Sequence, residues 1–368
     1  MFIHVSASLS PITAIKALFV KGANPKDARI KYFSFSRGAL ITAVESLRHK
    51  YRISNPLVMW LPAFICDTVP IILKEYSIEC RYYRVNSDLS PDLESLEGER
   101  FEENNFFLLV HYFGFLIPQQ PIIDLCNKRK MLLIEDCAHS IVRDIGAGKI
   151  GTMGEAGIFG LRKALPIPNG GALFLKACKL REPKTLFLLQ SEYRHPIKMI
   201  VQWLCQSIGI SWTKRKTLVD KNIYPKMSEN YYFLNCNEDI SWWSKKIISA
   251  IDIDYAIERR RKNFDMVHKF LSKFETIKIP LNANINDKDV VPWIFFFYHN
   301  ESEKIINALI QAGISASTFP TLPAEIFNSE DWPLDNQMYR DGITLPIHQD
   351  ISSKKMLKML RTIERIVS

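Results

Sequence analysis

The fold of this 368-residue chain is decided by the stretch Met131-Leu132-Leu133-Ile134-Glu135-Asp136-Cys137-Ala138-His139-Ser140. Its apolar run followed by acids is typical of a buried strand with polar groups at its carboxyl end. Similar apolar runs lie earlier, at residues 57–61 and 106–110, and helical patterns separate them. Unbroken apolar strands that alternate with helices predict an α/β fold with a largely parallel sheet covered on both faces.

A lysine with apolar neighbours follows this stretch. Lys163 lies 27 residues after Asp136, among apolar residues and glycines, and Gly170-Gly171 comes soon after it. Enzymes that use pyridoxal phosphate (PLP) hold the cofactor as a Schiff base on a lysine. They also place a carboxylate against the pyridine nitrogen, so that the ring can withdraw electrons. The pair therefore indicates PLP chemistry, although the spacing of an acid and a lysine alone is not specific to it.

Composition and the absence of two glycine-rich motifs argue against several other classes of protein. There is no Gly-x-Gly-x-x-Gly after the first strand and no Gly-Lys-Ser/Thr loop, which argues against dinucleotide and P-loop enzymes. The net charge is +9, yet the densest basic run, residues 259–262, lies in a helical pattern and is interpreted as a solvated face, so no nucleic acid is expected. Seven scattered cysteines and no recognisable signal peptide indicate a reducing compartment, the cytoplasm, and no metal site.

The central stretch resembles the DegT/DnrJ/EryC1/StrS family of PLP-dependent sugar aminotransferases. The family pattern Glu-Asp-x-Ala-His matches residues 135–139, and the family's Gly-Gly lies seven and eight residues after Lys163, as it does there. The resemblance extends from about Phe33 to the C-terminus. It implies the aspartate-aminotransferase type of fold (fold type I), with a mostly parallel seven-stranded sheet, a smaller α+β C-terminal domain and a homodimer with shared active sites.

The resemblance also assigns roles to residues. Lys163 would bind the cofactor and move the substrate proton, Asp136 would pair with the pyridinium nitrogen, and His139 would contact the phenolic oxygen. The phosphate would lie at the helix start formed by Ser36, Arg37 and Gly38, which from the sequence alone could equally be an ordinary capped helix. A loose alignment adds Asn235, which in the family reaches the partner subunit's site near the phosphate.

Three positions depart from the family pattern. Arg37 replaces a threonine that binds the phosphate, Ile158 replaces a phosphate-binding serine, and Cys66 stands where an aromatic residue stacks on the ring. Arg37 could supply a charged, bidentate contact instead, and Phe64 could replace the stacking residue. Two functions remain open: an aminotransferase, or a non-catalytic scaffold or binding protein of the same pathway that keeps the fold.

The implied reaction moves an amino group, usually from glutamate, onto a keto-sugar that is usually nucleotide-linked, for surface polysaccharide or secondary-metabolite synthesis. Residues 1–232 are predicted as the large PLP-binding domain and 233–368 as the small domain. Within the latter, we expect a helix over 247–270 and strands that include 277–280 and 314–317. Residues 176–232 suit either extra helices or a basic amphipathic element that touches a membrane surface.

Overall fold

A seven-stranded sheet forms the centre of the molecule. The computed structural model describes residues 3, 6–54, 56–101, 105–177, 197–198, 200–201, 203–205, 219–224, 238–280, 287, 289–319 and 321–367. The strands are β1 (Ile30–Phe33), β2 (Leu57–Pro62), β3 (Ile78–Tyr83), β4 (Phe106–Val110), β5 (Leu132–Cys137), β6 (Ala156–Phe159) and β7 (Gly171–Leu175). Their order is β1-β7-β6-β5-β4-β2-β3. The pairs from β3 to β6 are parallel, and β7 is antiparallel to both of its neighbours, β6 and β1.

The predicted α/β class and the mostly parallel sheet are thereby confirmed. Every residue of β2, β4, β6 and β7 is buried, as expected for strands covered on both faces. The helices that accompany the sheet are α1 (Pro11–Phe19), α2 (Ser36–Tyr51), α3 (Thr68–Glu75), α4 (Gln120–Arg129) and α5 (Leu161–Ala164). Within the described ranges, every helix is too short or too polar to cross a bilayer.

The C-terminal part contains a second, two-stranded sheet among helices. Its elements are α6 (Trp242–Ala250), α7 (Ile253–Leu271), β8 (Ile294–Tyr298), α8 (Ser302–Gln311), α9 (Pro333–Asp341), β9 (Gly342–Pro346) and α10 (Ser353–Val367). β8 and β9 pair antiparallel. This part is the small antiparallel α+β unit that the resemblance implied. The boundary proposed at residue 232 lies outside the described residues, so the division into two domains stays a prediction.

Three elements of the C-terminal part differ from the expectation. Residues 277–280 and 314–317 form only isolated bridges rather than strands. The expected helix over 247–270 is two helices, because the Asp252 carboxylate accepts a hydrogen bond from the Tyr255 N–H and starts α7 anew after α6 ends. A side chain that satisfies a free N–H in this way competes with continuation of the preceding helix.

The parallel strands bring their carboxyl ends to one edge of the sheet. β4 ends at Val110, β5 at Cys137 and β6 at Phe159, and the following turns lie side by side. Open α/β sheets bind their ligands at such an edge. Asp136 lies at the end of β5, and Lys163 follows β6, at this edge.

Candidate active site

A cavity of about 160 Å³ lies at the carboxyl edge of the sheet. Its walls come from the start of α2, the turn after β2, the ends of β4 to β6 and the loop after Ala316. The lining residues include Ser36, Arg37, Cys66, Thr68, Asp136, Ala138, His139, Ile158, Arg162, Lys163 and Phe319. Six of the seven residues that the sequence proposed lie in described regions, and five of those six line this one cavity; Asn235 lies outside the described residues.

Lys163 projects from the short helix α5 that follows β6. The backbone N–H of Lys163 donates to the carbonyl of Gly160 at 2.9 Å, which forms the first turn of α5. A Cβ at Gly160 would come within 2.5 Å of the Ala138 carbonyl oxygen, so only glycine allows α5 to approach the turn after β5 this closely. Removal from water lowers the pKa of Lys163, the negative charge of Asp136 opposes this effect, and Arg162 adds to it. The environment therefore favours a neutral amine more than water does.

Asp136 faces the cavity from the end of β5. One of its oxygens accepts the N–H of Ala138 at 2.8 Å, which fixes the carboxylate against the turn. Burial raises its pKa, and the positive charge of Lys163 works in the opposite direction. A cationic group of a ligand in the cavity would stabilise the carboxylate in the same way that Lys163 does.

His139 presents a buried nitrogen that has no partner. Its Nδ1 accepts the N–H of Phe113 at 3.3 Å, so the ring proton lies on Nε2, and Nε2 meets no hydrogen-bond partner in the described part of the chain. Burial holds the pKa of His139 well below its ordinary value, and the charge of Lys163 adds to this, so the ring is neutral. An unmatched buried donor costs about 1–3 kcal/mol. This donor therefore marks the position of an acceptor on a ligand, and a phenolic oxygen fits it.

The start of α2 offers a site for an anion. The N–H groups of Ser36 and Arg37 belong to the first turn of this 16-residue helix, where backbone N–H groups point toward the helix end and the helix dipole is positive. Gly38 is buried, is absent from the cavity wall, and donates its N–H to the Phe35 carbonyl at 3.1 Å. A Cβ at Gly171 would lie 2.4 Å from the Ser36 nitrogen, so glycine is needed there for β7 to reach the helix start.

The charge of the cavity wall is positive. The Arg37 guanidinium lies 4.7 Å from the centre of the Phe35 ring, and the Arg162 guanidinium lies 5.5 Å from the same centre. Even without Lys163, these arginines set two cations against the single acid Asp136 among the described lining residues. A wall of this sign attracts phosphate-bearing ligands.

The altered positions have clear consequences in the structure. Ile158 presents an apolar surface to the cavity, and Cys66 lines it with its thiol accepting the Thr68 hydroxyl at 3.2 Å. Phe64 does not replace the stacking residue: it is fully buried, packs against the ring of Tyr112 at 5.9 Å and lies off the cavity wall. Phe319, which the sequence did not single out, lines the cavity as an aromatic residue.

A second buried cluster lies behind the cavity and is structural. The Glu135 carboxylate accepts hydrogen bonds from His111 Nε2 at 2.9 Å and from the Gln119 amide. It also accepts the N–H groups of Gly151, Met153 and Gly154. The ligand atoms of His111, Glu135 and Cys137 are close enough together to hold a metal ion. However, five donors already point at the carboxylate and would repel a cation, so the cluster is suited to hold the turn before β6.

Two residues of the C-terminal part, Trp293 and Arg260, reach the Lys163 turn. Sequence reasoning missed Trp293, and its interpretation of residues 259–262 as a solvated face is wrong for Arg260, which is fully buried. Trp293 donates its indole N–H to the Lys163 carbonyl at 2.8 Å, and Arg260 donates to the Ala164 carbonyl at 3.0 Å. No motif signals either contact, because each joins residues about a hundred positions apart. His348 is buried and lies off the cavity wall.

Comparisons of the sequence agree with this geometry. A sequence profile of the DegT/DnrJ/EryC1/StrS aminotransferase family matches residues 86–199. The GDP-perosamine synthase of Vibrio cholerae is 26% identical over 149 residues, which are 38% of this chain and 40% of that protein. A Micromonospora echinospora protein with the provisional name L-glutamine:3-amino-2,3-dideoxy-scyllo-inosose aminotransferase is 27% identical over 96 residues, 25% of this chain and 23% of its own length. The alignments thus span less than half of either relative.

Solved structures match the whole chain at low identity. PseC of Helicobacter pylori, an aminotransferase involved in the biosynthesis of pseudoaminic acid, gives a TM-score of 0.68 at 14% identity and covers 99% of this chain and 98% of its own. The aminotransferase TlmJ of Streptoalloteichus hindustanus gives 0.68 at 14% identity, with 100% and 98% covered. A DegT/DnrJ/EryC1/StrS aminotransferase of Brucella abortus gives 0.62 at 13%, with 97% and 91% covered. The fold is that of the fold type I PLP enzymes. Residues 86–199 are similar to the DegT/DnrJ/EryC1/StrS aminotransferase family.

Proposed function

We propose that this protein is a PLP-dependent aminotransferase that transfers an amino group from glutamate to a nucleotide-linked keto-sugar. One observation carries the proposal. Lys163, Asp136 and His139 line one cavity at the carboxyl edge of the sheet, and the Nε2–H of His139 has no partner among the described residues. A lysine biased toward its neutral form, an acid and a neutral donor are the groups that this chemistry requires.

The residues present fit the cofactor. Bound PLP supplies an electron sink that makes the Cα–H bond of an amino acid acidic. The Lys163 amine would hold the cofactor and, once released, carry the proton that the amino donor gives up. The Asp136 carboxylate would keep a pyridinium nitrogen protonated, and His139 Nε2–H would donate to the phenolic oxygen. The backbone N–H groups in the first turn of α2 and the Arg37 guanidinium would bind the phosphate.

The sugar substrate is proposed from the family and from relatives. The family consists of PLP-dependent aminotransferases, and the GDP-perosamine synthase among the relatives is named for an amino sugar linked to a nucleotide. We assign the reaction to surface polysaccharide or secondary-metabolite synthesis in the cytoplasm, where scattered free cysteines stay reduced. We also propose a homodimer, in which Asn235 of one subunit reaches the site of the other.

An absorbance titration tests the cofactor and the donor together. Addition of PLP to the purified protein should produce a band near the edge of the visible range, and glutamate should shift it. The band should be absent in Lys163→Ala and unchanged in Lys176→Ala, which removes an exposed lysine just after β7. Nucleotide-linked keto-sugars are then screened, and the return of the original absorbance band is the readout. If no PLP concentration produces a band, the proposal is refuted and the non-catalytic scaffold becomes the better description.

The Arg37 assignment has a separate test. Arg37→Ala should weaken PLP binding at least tenfold, because a charge-assisted contact to the phosphate is lost. Binding of pyridoxal, which lacks the phosphate, should change less than twofold. Arg48→Ala, at the far end of the same helix, serves as the control. Equal losses for PLP and pyridoxal would contradict the assignment.

A further inference from the structure

Trp293, just before β8, contacts both Lys163 and His139 although it is not part of the cavity wall. Its indole N–H donates to the Lys163 carbonyl at 2.8 Å. Its ring lies 4.4 Å from the His139 ring, centre to centre, with only 17° between their planes. The Lys163 Nζ lies 5.4 Å from the centre of the same indole. One side chain from the C-terminal part thus contacts the backbone and the amine of Lys163 and the imidazole of His139.

The position of Trp293 is itself fixed by buried contacts. Its N–H donates to the Phe113 carbonyl at 2.8 Å, next to the turn that orients His139. Its own carbonyl accepts from Arg260 at 2.7 Å, and the same guanidinium donates to the Ala164 carbonyl at 3.0 Å. Burial lowers the pKa of Arg260 to about 10, so it remains charged at neutral pH. Trp293 and the lysine turn are therefore held by one cation.

We propose that Trp293 is a positioning residue that sets the direction of the Lys163 side chain and the plane of the His139 ring. The indole N–H fixes the backbone from which Lys163 projects. Parallel stacking fixes the His139 plane, and hence the direction of Nε2–H, because an imidazole cannot turn within a stack without losing the contact. The face of the indole attracts the ammonium form of Lys163.

This inference rests on the proposed function, because it assigns Trp293 to the lysine and histidine of that site. Its consequences are nevertheless measurable without cofactor. The reactivity of the Lys163 amine reports its protonation in the cofactor-free protein. Failure of the proposed function would leave that measurement intact, so the two failures can be told apart.

The experiment compares Trp293→Phe and Trp293→Leu with Trp332→Leu, a half-buried tryptophan of the same part that packs on Tyr82. The cofactor-free proteins are acetylated with trace acetic anhydride at a series of pH values, and the modified fraction of Lys163 is measured by mass spectrometry. Both substitutions remove the indole N–H, but only phenylalanine keeps an aromatic face. The midpoint in Trp293→Leu should therefore lie about one pH unit below that in Trp293→Phe.

The contribution of the Trp293 indole N–H is measured separately. With PLP added, the rate of borohydride trapping on Lys163 should fall about five- to tenfold in Trp293→Phe, as expected for one lost hydrogen bond. Trp332→Leu should match the wild type in both assays. Equal midpoints in the leucine and phenylalanine variants, or wild-type trapping in Trp293→Phe, would overturn the inference. If Trp293→Leu does not fold, the trapping rate in Trp293→Phe tests the role of Trp293. If the wild-type protein traps no PLP, the proposed function fails, and the acetylation midpoints still test the role of Trp293.

Discussion

Replacement of Glu135 by glutamine should destabilise the protein far more than the loss of one charge suggests. Both oxygens of the carboxylate act as acceptors: Oε1 accepts the N–H groups of Met153 and Gly154, and Oε2 accepts His111 and Gly151. A glutamine keeps one acceptor and turns the other into an NH2 group that faces at least two donors. Two lost bonds to a charged acceptor, at about 1.5–3 kcal/mol each, lead us to expect a loss of about 3–6 kcal/mol in the free energy of unfolding.

The dependence of this loss on pH follows from the same contacts. Burial would raise the pKa of Glu135, but the hydrogen bond and charge of His111 and the backbone N–H groups outweigh it and hold the pKa below the ordinary 4.5. Because the folded state lowers this pKa, the stabilisation is complete above about pH 5 and is lost as the pH falls through the folded value. The difference between wild type and Glu135→Gln should therefore be constant from pH 6 to 8 and shrink below pH 4.5.

Urea unfolding followed by tryptophan fluorescence measures this effect. Glu155→Gln is the matched control, because Glu155 pairs with Lys50 at the surface with about a quarter of its side chain exposed. Surface pairs contribute about 0–1 kcal/mol, so this control should change little. Equal losses in the two variants would refute the structural role of Glu135. A loss for Glu135→Gln that persists unchanged at pH 4 would refute the protonation argument.

Two further changes test other parts of the site. Gly171→Ala should cost about 1–3 kcal/mol in urea unfolding, because its Cβ would lie 2.4 Å from the Ser36 nitrogen. A Cβ at Gly98 meets no described residue within 4 Å, so Gly98→Ala should change stability by less than about 0.5 kcal/mol. His139→Phe should reduce the loss of melting temperature between pH 6.5 and 5. The unfolded wild-type chain takes up a proton in this range, whereas buried neutral His139 does not. An unchanged acid sensitivity would argue against a neutral His139.

The parts of this molecule that follow from local pattern were predictable. Unbroken apolar runs predicted β2, β4 and the first half of β5, because a strand segment covered on both faces favours apolar residues. The strands expected at 277–280 and 314–317 failed, because short apolar runs do not reveal whether a neighbouring strand continues beside them. The break before α7 depends on Asp252, a capping residue whose signal is weaker than the helical periodicity on either side.

The residues of the candidate site also divide into those that a local motif predicts and those that it does not. Lys163, Asp136 and His139 lie close together in sequence on successive turns of the sheet edge, so a motif could reveal them. Trp293 and Arg260 could not be found in this way, because their contacts depend on how the C-terminal part packs against the lysine turn. Gly38 was included by proximity to the helix start, but its N–H is already bonded within the turn.

The paired acids at the end of β5 show how one strand supports both stability and chemistry. Successive side chains on a strand point to opposite faces. Glu135 therefore points away from the cavity and holds the turn before β6, whereas Asp136 faces the cavity. β6 begins at Ala156, directly after that turn, and ends beside the helix that carries Lys163. The first acid thus fixes the strand that delivers the lysine to the second, and a substitution of either should disturb the site by a different route.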